Sequence, residues 1–254
     1  MGPRWKTLRY SAIGSSHERD ALPCQDSSEV HLTQDGEKQF LVLVCADGAG
    51  SASHAEIGSQ LACTTYCDSV EKLLLDRDGE QLFTREGQLS LFVRVRAALV
   101  SKAAELEVSV RELACTLLTA IVGPDSASLT QLGDGAIVIG AENAYHCAFW
   151  PDGGEYANQT NFLSEEDFGK HLLFSRLDER VDEIALMTDG LQRLALNFES
   201  RDAHSPFFAG FFSALRGAEQ PDELYPDFIT FLKSPKVNSR TDDDKTLILA
   251  TRRQ

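Results

Sequence analysis

The chain has 254 residues, 43% of them hydrophobic, which is enough apolar material for one large core. We expect a single domain over residues 1–254. The formal net charge is -15 and Lys and Arg form no cluster, which argues against nucleic acid or an anionic membrane surface as a partner. No apolar run approaches the roughly 20 residues that span a bilayer, and no signal-peptide core follows Met1, so we expect a cytoplasmic protein.

Eight segments are rich in apolar and β-branched residues and are predicted to be strands. In chain order they are Arg9–Gly14, Glu29–Thr33, Phe40–Ala46, Ala114–Val122, Ala127–Leu132, Ala136–Ala141, Glu183–Thr188 and Thr246–Thr251. Two long helices are predicted over His54–Leu75 and Leu89–Leu113, where apolar residues recur at i, i+3, i+4 and i+7, with a loop over Asp76–Gly87 between them. Shorter helices are predicted over Pro206–Leu215 and Pro221–Leu232. Helices inserted among hairpin-linked strands indicate layered α+β packing.

The six cysteines give no sign of a zinc site or a disulfide framework. They are Cys24, Cys45, Cys63, Cys67, Cys115 and Cys147. No two of them form a CxxC pair, and Cys63 and Cys67 are one helical turn apart. We interpret all six as reduced, mostly buried thiols in preference to zinc ligands.

The segment Pro151–Leu163 is polar and rich in glycine, and we predict a loop there. Such a loop either overhangs a functional site or forms plain surface. The residues alone leave both interpretations open.

Acidic residues stand at the ends of the apolar runs. Three runs end on Asp-Gly pairs, which are Asp47-Gly48, Asp134-Gly135 and Asp189-Gly190. The last run, Thr246–Ala250, is entered through Asp242, Asp243 and Asp244. A carboxylate at the end of a buried strand is held by rigid backbone and open to solvent on one side. Several such ends brought together would make an oxygen-rich site for a hard cation.

Asp-Gly pairs are also favoured in tight hairpin turns, because both residues tolerate positive φ. Any one pair taken alone favours a plain turn. The turn interpretation is strongest for Asp134-Gly135, because Ala136–Ile139 follows at once as a strand. Asp47 and Asp189 favour a ligand, because a loop or a helical segment follows each of them.

Five short motifs, taken in order, resemble those of the metal-dependent protein Ser/Thr phosphatases of the 2C type, the PPM family, and most of all its compact bacterial branch. The matching stretches are Gly14-Ser-Ser-His17 with Pro23-Cys-Gln-Asp26, Asp47-Gly-Ala-Gly50 with Ala55-Glu-Ile-Gly-Ser59, Gly133-Asp-Gly135, Thr188-Asp-Gly190 and Asp243-Asp-Lys-Thr246. Each motif is weak alone, but five at the ends of predicted strands are specific. The fold that this resemblance implies is α+β, a β-sandwich of two antiparallel sheets flanked by antiparallel helices on both faces.

The resemblance implies a metal centre of two Mn²⁺ or Mg²⁺ ions. Asp47 would bridge the two ions and Gly48 would add its backbone carbonyl to one of them. Asp189 and Asp243 would bind the other ion. Elementary coordination chemistry agrees, because sites with few carboxylates that leave several waters on the ion are those that Mg²⁺ and Mn²⁺ prefer.

Two further aspartates receive roles from the same resemblance. Asp26 would orient water on the ions, and it joins Asp47, Asp189 and Asp243 as a catalytic residue. Asp134 would contribute to a third, more weakly held ion. Two ions about 3.5–4 Å apart can deprotonate a bridging water and stabilise a phosphoryl group under in-line attack. No phosphoenzyme is then needed, which agrees with the lack of a CxxxxxR or GxSxG nucleophile motif.

The implied substrates are proteins that carry phosphoserine or phosphothreonine, and a partner Ser/Thr kinase is the expected source of them. We expect a monomer that has neither a nucleic-acid nor a membrane partner.

The opening motif lacks the arginine that many family members use to bind substrate phosphate. That arginine would precede Asp26 by about five residues, where this chain has Ala21. His17, Arg19 and Arg193 are candidate phosphate contacts in its place. Each of the three is also an ordinary surface residue in the simplest interpretation.

Two alternatives compete with an active 2C-type enzyme. A catalytically silent or weakly active phosphatase fold would serve as a binding module, but such a copy would usually have lost one of Asp47, Asp189 and Asp243. The chain departs from the family motifs at two other places, with Gln25 in place of Glu and Gly135-Ala136 in place of Ser-Arg. Neither departure removes a core ligand. A haloacid-dehalogenase-like DxDxT motif follows its strand, whereas here the apolar run comes after the acidic residues.

Overall fold

The computed structural model describes residues 5–36, 38–76, 78–141, 144–151 and 160–253. Its strands are β1 (Lys6–Ala12), β2 (Ser27–Asp35), β3 (Lys38–Ala46), β4 (Leu117–Val122), β5 (Ala127–Leu132), β6 (Ala136–Ala141), β7 (Ala144–Cys147), β8 (Leu173–Leu177), β9 (Glu183–Met187), β10 (Leu196–Asn197), β11 (Asp202–Ala203) and β12 (Lys245–Thr251). Its helices are α1 (Ser15–Asp20), α2 (Ala55–Leu75), α3 (Arg85–Glu105), α4 (Gln192–Ala195), α5 (Ser205–Gly217), α6 (Tyr225–Leu232) and α7 (Pro235–Asn238).

Ten of these strands form two five-stranded antiparallel sheets. The first sheet has the order β1-β12-β9-β6-β7 and the second has the order β2-β3-β4-β5-β8. β10 and β11 form a separate two-stranded ribbon. The two antiparallel sheets and their helices confirm the predicted α+β sandwich.

The apolar run of β3 is continuous because both faces of this strand are buried. Val42 and Val44 face α2 and α3, where they pack with Tyr66 of α2 and with other buried residues. Leu41 and Leu43 point the opposite way, into the core between the two sheets. Successive side chains of a strand alternate between faces, so one run of residues serves two layers of the core.

The first sheet is covered in the same way on its outer face. Leu247 and Leu249 of β12 pack with Phe208 and Phe212 of α5, while Ile248 lies in the core between the sheets. The molecule therefore has four layers, with α2 and α3 outside one sheet and α5 and α6 outside the other.

Some predicted bounds were wrong, for local reasons. The second long helix begins at Arg85, where Thr84 accepts a hydrogen bond from the backbone N–H of Gly87 at 3.0 Å, and it ends at Glu105. Glu107 then has a φ of 57°, and a 3₁₀ segment, Val110–Leu113, replaces the predicted last turns. Strands β7 and β8 were not predicted because they are edge strands whose side chains are largely not buried.

Asp134 lies in a crossover between the sheets rather than in a hairpin. β5 belongs to the second sheet and β6 to the first, so the predicted strand-turn-strand unit was wrong in its pairing. Gly133 has a φ of 103°, and a Cβ there would overlap the Thr116 side chain. Glycine therefore permits the sharp crossover that brings Asp134 to the edge where both sheets end.

All six cysteines are free thiols, and four of them are buried, in agreement with the prediction of mostly buried thiols, whereas Cys24 and Cys147 are partly exposed. Of the predicted loop Pro151–Leu163, residues 152–159 lie outside the described residues. Within the described ranges, no helix has the length and apolar character needed to cross a membrane.

Candidate active site

The acidic strand ends converge at one edge of the sandwich. Asp47 follows β3, Asp189 follows β9, and Asp243 precedes β12. Because β9 and β12 are antiparallel neighbours, with Met187 paired to Leu247, the end of one strand lies beside the start of the other. The negative charges of Asp189 and Asp243 both act on Asp47, so the three carboxyl groups share one site.

Asp47 and Asp189 form the centre of this cluster. Burial, and then the charges of Asp26 and Asp189, raise the pKa of Asp47 well above its ordinary value. Burial and the charge of Asp134 raise the pKa of Asp189 to about 6. The interaction between the two carboxyl groups raises the pKa of Asp47 and lowers that of Asp189.

Asp26 is a buried carboxylate with one satisfied oxygen and one unsatisfied oxygen. Its Oδ2 accepts hydrogen bonds from the hydroxyl groups of Thr188 and Thr246, each at 2.7 Å. Its Oδ1 is buried and has no hydrogen-bond partner. Burial raises the pKa of Asp26 well above its ordinary value, against the lowering effect of the two hydroxyl groups. This role of the threonines was not predicted from the sequence, because the two hydroxyl groups meet only through the pairing of β9 with β12.

Two glycines permit the close backbone approach on which the cluster depends. A Cβ at Gly48 would lie 2.7 Å from the carbonyl oxygen of Gln25 and 2.8 Å from that of Ala55. A Cβ at Gly190 would overlap the carbonyl oxygen of Asp244. Any side chain at either position would push an acidic strand end away from its neighbours.

Asp134 borders the cluster from the crossover between the sheets. Its charge is the largest electrostatic influence on the Asp189 carboxylate. Its own carboxylate accepts a hydrogen bond from Thr160 Oγ1 at 2.8 Å, and its backbone carbonyl accepts one from the Gln192 amide.

His17 contacts a buried carboxylate. Its Nδ1 lies 3.0 Å from Oδ2 of Asp244, which also accepts the backbone N–H of Gln25 at 2.5 Å. The other oxygen of Asp244 accepts the backbone N–H of Gly14 at 2.6 Å. Asp244 therefore ties the opening motif to the segment that contains Asp243. The sequence does not reveal this role, because the neighbouring Asp243 is the stronger ligand candidate.

A cavity of about 640 Å³ opens beside the cluster. Asp189 and Asp243 line it together with two arginines, Arg193 and Arg240. Of the three predicted phosphate contacts, only Arg193 lines this cavity, and Arg19 is an exposed residue of α1 outside it. Arg240 was not predicted, because nothing in its sequence context distinguishes it from an ordinary surface residue.

Comparison with known proteins identifies the family. The family model for protein phosphatase 2C matches residues 13–226. Serine/threonine-protein phosphatase 3 of Escherichia coli (strain K12) is 37% identical over 249 residues, which cover 97% of this chain and 98% of that protein. The chain belongs to the protein phosphatase 2C family. This membership confirms the predicted family and the predicted enzyme class, a protein phosphatase.

Solved structures of 2C-type phosphatases have the same fold. Serine/threonine phosphatase Stp1 from Staphylococcus aureus is 17% identical with a TM-score of 0.62, over 99% of this chain and 96% of that chain. The catalytic domain of the serine/threonine protein phosphatase PstP, solved in complex with two manganese ions, is 18% identical with a TM-score of 0.60, over 97% of each chain.

The side chains of this phosphatase fit a hard divalent cation. Among the described residues, no group of three or more His, Cys, Asp or Glu side chains is already arranged to hold a metal ion. However, one oxygen of Asp26 and one of Asp189 are buried without any hydrogen-bond partner. The nearby donors are carboxylates that raise one another's pKa values, and a divalent cation would supply the countercharge that they lack.

Proposed function

We propose that this 2C-type phosphatase removes phosphate from phosphoserine and phosphothreonine in proteins and that it uses Mn²⁺ or Mg²⁺. The observation that carries the proposal is the pair of unpartnered carboxylate oxygens, on Asp26 and Asp189, beside an open cavity. A buried carboxylate oxygen that lacks both a hydrogen bond and a counterion costs stability, so its retention favours a role in binding a cation.

The proposed metal ligands are Asp47, the Gly48 carbonyl, Asp189 and Asp243, and Asp134 is the proposed ligand of a third, weaker ion. When bound, two such ions supply an activated water nucleophile and neutralise charge on the phosphoryl group. The strand ends of the protein fix the positions of these ligands, so little reorganisation accompanies the reaction.

Asp26 is proposed to orient the attacking water and to accept its hydrogen bond. The two threonine hydroxyl groups occupy Oδ2 of Asp26 and leave Oδ1 available. Thr188 and Thr246 thus act as positioning residues, because they fix the plane of the carboxylate. Replacing either hydroxyl group would remove one of the two hydrogen bonds that hold this orientation.

Arg193 is the proposed contact to substrate phosphate. It follows Asp189 on the short helix α4 and lines the same cavity. A guanidinium group can bind two phosphoryl oxygens at once. His17 is proposed instead to brace the site through Asp244, because its Nδ1 is already engaged there.

The proposal also covers the substrates, the partner kinase, the domain organisation, the oligomeric state and the location of the protein. Phosphorylated proteins are the substrates, and a partner Ser/Thr kinase produces them. A single catalytic domain over 1–254, a monomeric state and a cytoplasmic location complete it.

The test is hydrolysis of p-nitrophenyl phosphate and of a phosphothreonine peptide by metal-stripped protein, with and without added Mn²⁺. We expect turnover only with the metal. Full turnover in excess chelator would contradict the mechanism. No turnover under any metal condition would favour the silent binding module.

A further inference from the structure

The cavity beside the carboxylate cluster is larger than a phosphoryl group requires. Its volume of about 640 Å³ falls within the range of roughly 300–1,000 Å³ that encloses a whole small-molecule ligand. The proposed metal ligands Asp189 and Asp243 and the proposed phosphate contact Arg193 account for part of its wall. The remaining wall is therefore available to substrate residues that flank the phosphorylated one.

Arg240 is a charged side chain on that wall which the proposed reaction does not use. It is exposed, and within the described residues no carboxylate oxygen lies within 4 Å of its guanidinium nitrogens. Other arginines of this acidic chain do form such ion pairs, among them Arg9, Arg19, Arg176, Arg180, Arg216, Arg252 and Arg253. Arg240 is thus a cation left open to a ligand in a protein whose net charge is -15.

The backbone presents Arg240 from a fixed position. Its N–H donates to the carbonyl of Val237 at 2.8 Å, and Val237 is fully buried in the core beneath. Ser234 caps the preceding helix α7 by accepting the N–H of Val237. A side chain on such an anchored turn loses little backbone entropy when it binds a ligand.

An exposed aromatic ring lines the same cavity. Phe198 is 55% exposed, and Trp150 supports it edge-on with ring centroids 5.5 Å apart. A large apolar ring that is held in place but left exposed is a common platform for peptide recognition. Together, Arg240 and Phe198 fit a peptide segment better than an isolated phosphate group.

We propose that Arg240 selects phosphoproteins that carry an acidic residue next to the phosphorylated serine or threonine. This inference rests on the proposed function and names its substrate class. The exposed carboxylate of Asp242 lines the same cavity and opposes an acidic ligand, so the preference depends on Arg240 itself. The overall charge also repels acidic peptides, which means that such a preference requires a local cation.

The test compares kcat/KM for two phosphothreonine peptides that differ only in flanking residues, Asp in one and Ala in the other, at saturating Mn²⁺. We expect the protein to favour the acidic peptide about fivefold, the effect of one exposed ion pair. Arg240→Ala should reduce that ratio to about one, and Arg240→Glu should invert it. Arg94→Ala, at an exposed position on α3 away from the cavity, is the matched control and should keep the wild-type ratio.

Two results would overturn the inference. If wild-type protein hydrolyses both peptides with equal kcat/KM, or if Arg240→Ala keeps the wild-type ratio, Arg240 has no role in selection while the proposed function stands. If metal-loaded protein hydrolyses neither peptide, the proposed function fails as well. Thermal unfolding of each variant checks that the fold is intact.

Discussion

The acidic residues at the two ends of strand β9 differ in how their carboxylate oxygens are paired. At the start of the strand, Glu183 is fully buried, and its carboxylate accepts hydrogen bonds from Arg216 at 2.6 Å and from Thr251 at 3.1 Å. Tyr145 Oη lies 3.2 Å from the other oxygen. At the far end, Asp189 has a buried oxygen without a partner. One end is therefore built for stability, and the other retains unsatisfied charge.

The neighbouring residues follow the same division. Beside Glu183, Asp182 pairs with Arg180 and Arg252, and although burial acts in the opposite direction, the hydrogen bond and charge of Arg180 lower the pKa of Asp182. Beside Asp189, the charges of Asp134 and Asp243 raise its pKa, and the charge of Asp189 raises those of Asp26 and Asp47. The chain has fewer basic than acidic residues, 24 against 39, and it pairs arginines with the acids at the Glu183 end of β9. This contrast supports the proposal that the Asp189 end of the strand binds the cation.

The largest expected effect is on kcat and comes from substitution at the Asp189 end of β9. Asp189→Asn should lower kcat by about 10³-fold at saturating Mn²⁺, because it removes a charged ligand worth several kcal/mol of transition-state stabilisation. The metal-free variant should unfold at a temperature no lower than wild type, because a repelling charge is gone. Steady-state kinetics and calorimetry check both points. Wild-type kcat in this variant would mean that Asp189 is only a turn residue.

Substitution at the Glu183 end of β9 should instead change stability and leave kcat unchanged. Glu183→Gln should lower the free energy of unfolding by about 3 kcal/mol, because it leaves the partly buried Arg216 without its counterion. The kcat of this variant should stay at the wild-type value, since Glu183 lies at the opposite end of β9. Urea unfolding and the phosphatase assay measure the two quantities. A large loss of kcat with unchanged stability would contradict the division between the ends.

The pH dependence of stability should differ in sign between the ends. The pKa of Asp189 is about 6 in the folded protein against an ordinary value of 3.8, so the folded state binds more protons between these values. The free energy of unfolding of metal-free protein should then fall as pH rises from about 4 to 6, with Asp189 contributing about 2–3 kcal/mol. Urea unfolding in chelator, compared between wild type and Asp189→Asn, isolates this contribution.

Asp182 provides the matched control for that measurement. Its folded pKa is lowered, so its contribution to stability is present above the ordinary pKa and is lost as pH falls through the folded pKa. Asp182→Asn should therefore reduce the loss of stability in acid, whereas Asp189→Asn should reduce the loss on raising pH. If both variants changed the pH dependence of the free energy of unfolding in the same direction, the proposed difference between the two ends of β9 would be wrong.

The smallest expected effect concerns His17. Because His17 pairs with Asp244, His17→Ala should lower the free energy of unfolding by about 1–2 kcal/mol and weaken Mn²⁺ binding, while KM stays unchanged. Kinetics at saturating Mn²⁺ together with thermal unfolding separate stability from substrate binding. A raised KM with unchanged stability would instead make His17 the phosphate contact.

The sequence predicted the layers of the fold because the buried strands and long helices carry strong periodic patterns. Strand β3 and helix α2 lay close to their predicted bounds for this reason. The edge strands β7 and β8 were missed because they bury few residues. The crossover at Asp134 was mistaken for a hairpin, because a Gly-Asp-Gly turn has the same local signal whether the next strand pairs with the preceding one or joins another sheet.

The carboxylate cluster was predictable because each acid follows or precedes a buried strand in a recognisable motif. The residues that position these acids were not. Thr188, Thr246 and Asp244 act across strand pairs and over long sequence separations, so their roles depend on sheet register. Arg240 could not be predicted from the sequence either, because only the fold brings it to the cavity that Asp189 lines.

The proposed metal centre is tested most directly by titration of metal-stripped protein with Mn²⁺ in isothermal titration calorimetry. Wild type and Glu183→Gln should each bind two ions, and Asp189→Asn should bind at least one ion fewer. Mn²⁺ binding should also release protons, because the acids at this end of the sandwich have raised pKa values and must lose their protons to bind the metal. Equal Mn²⁺ binding by wild type and Asp189→Asn would contradict the claim that the unsatisfied acids form the metal centre.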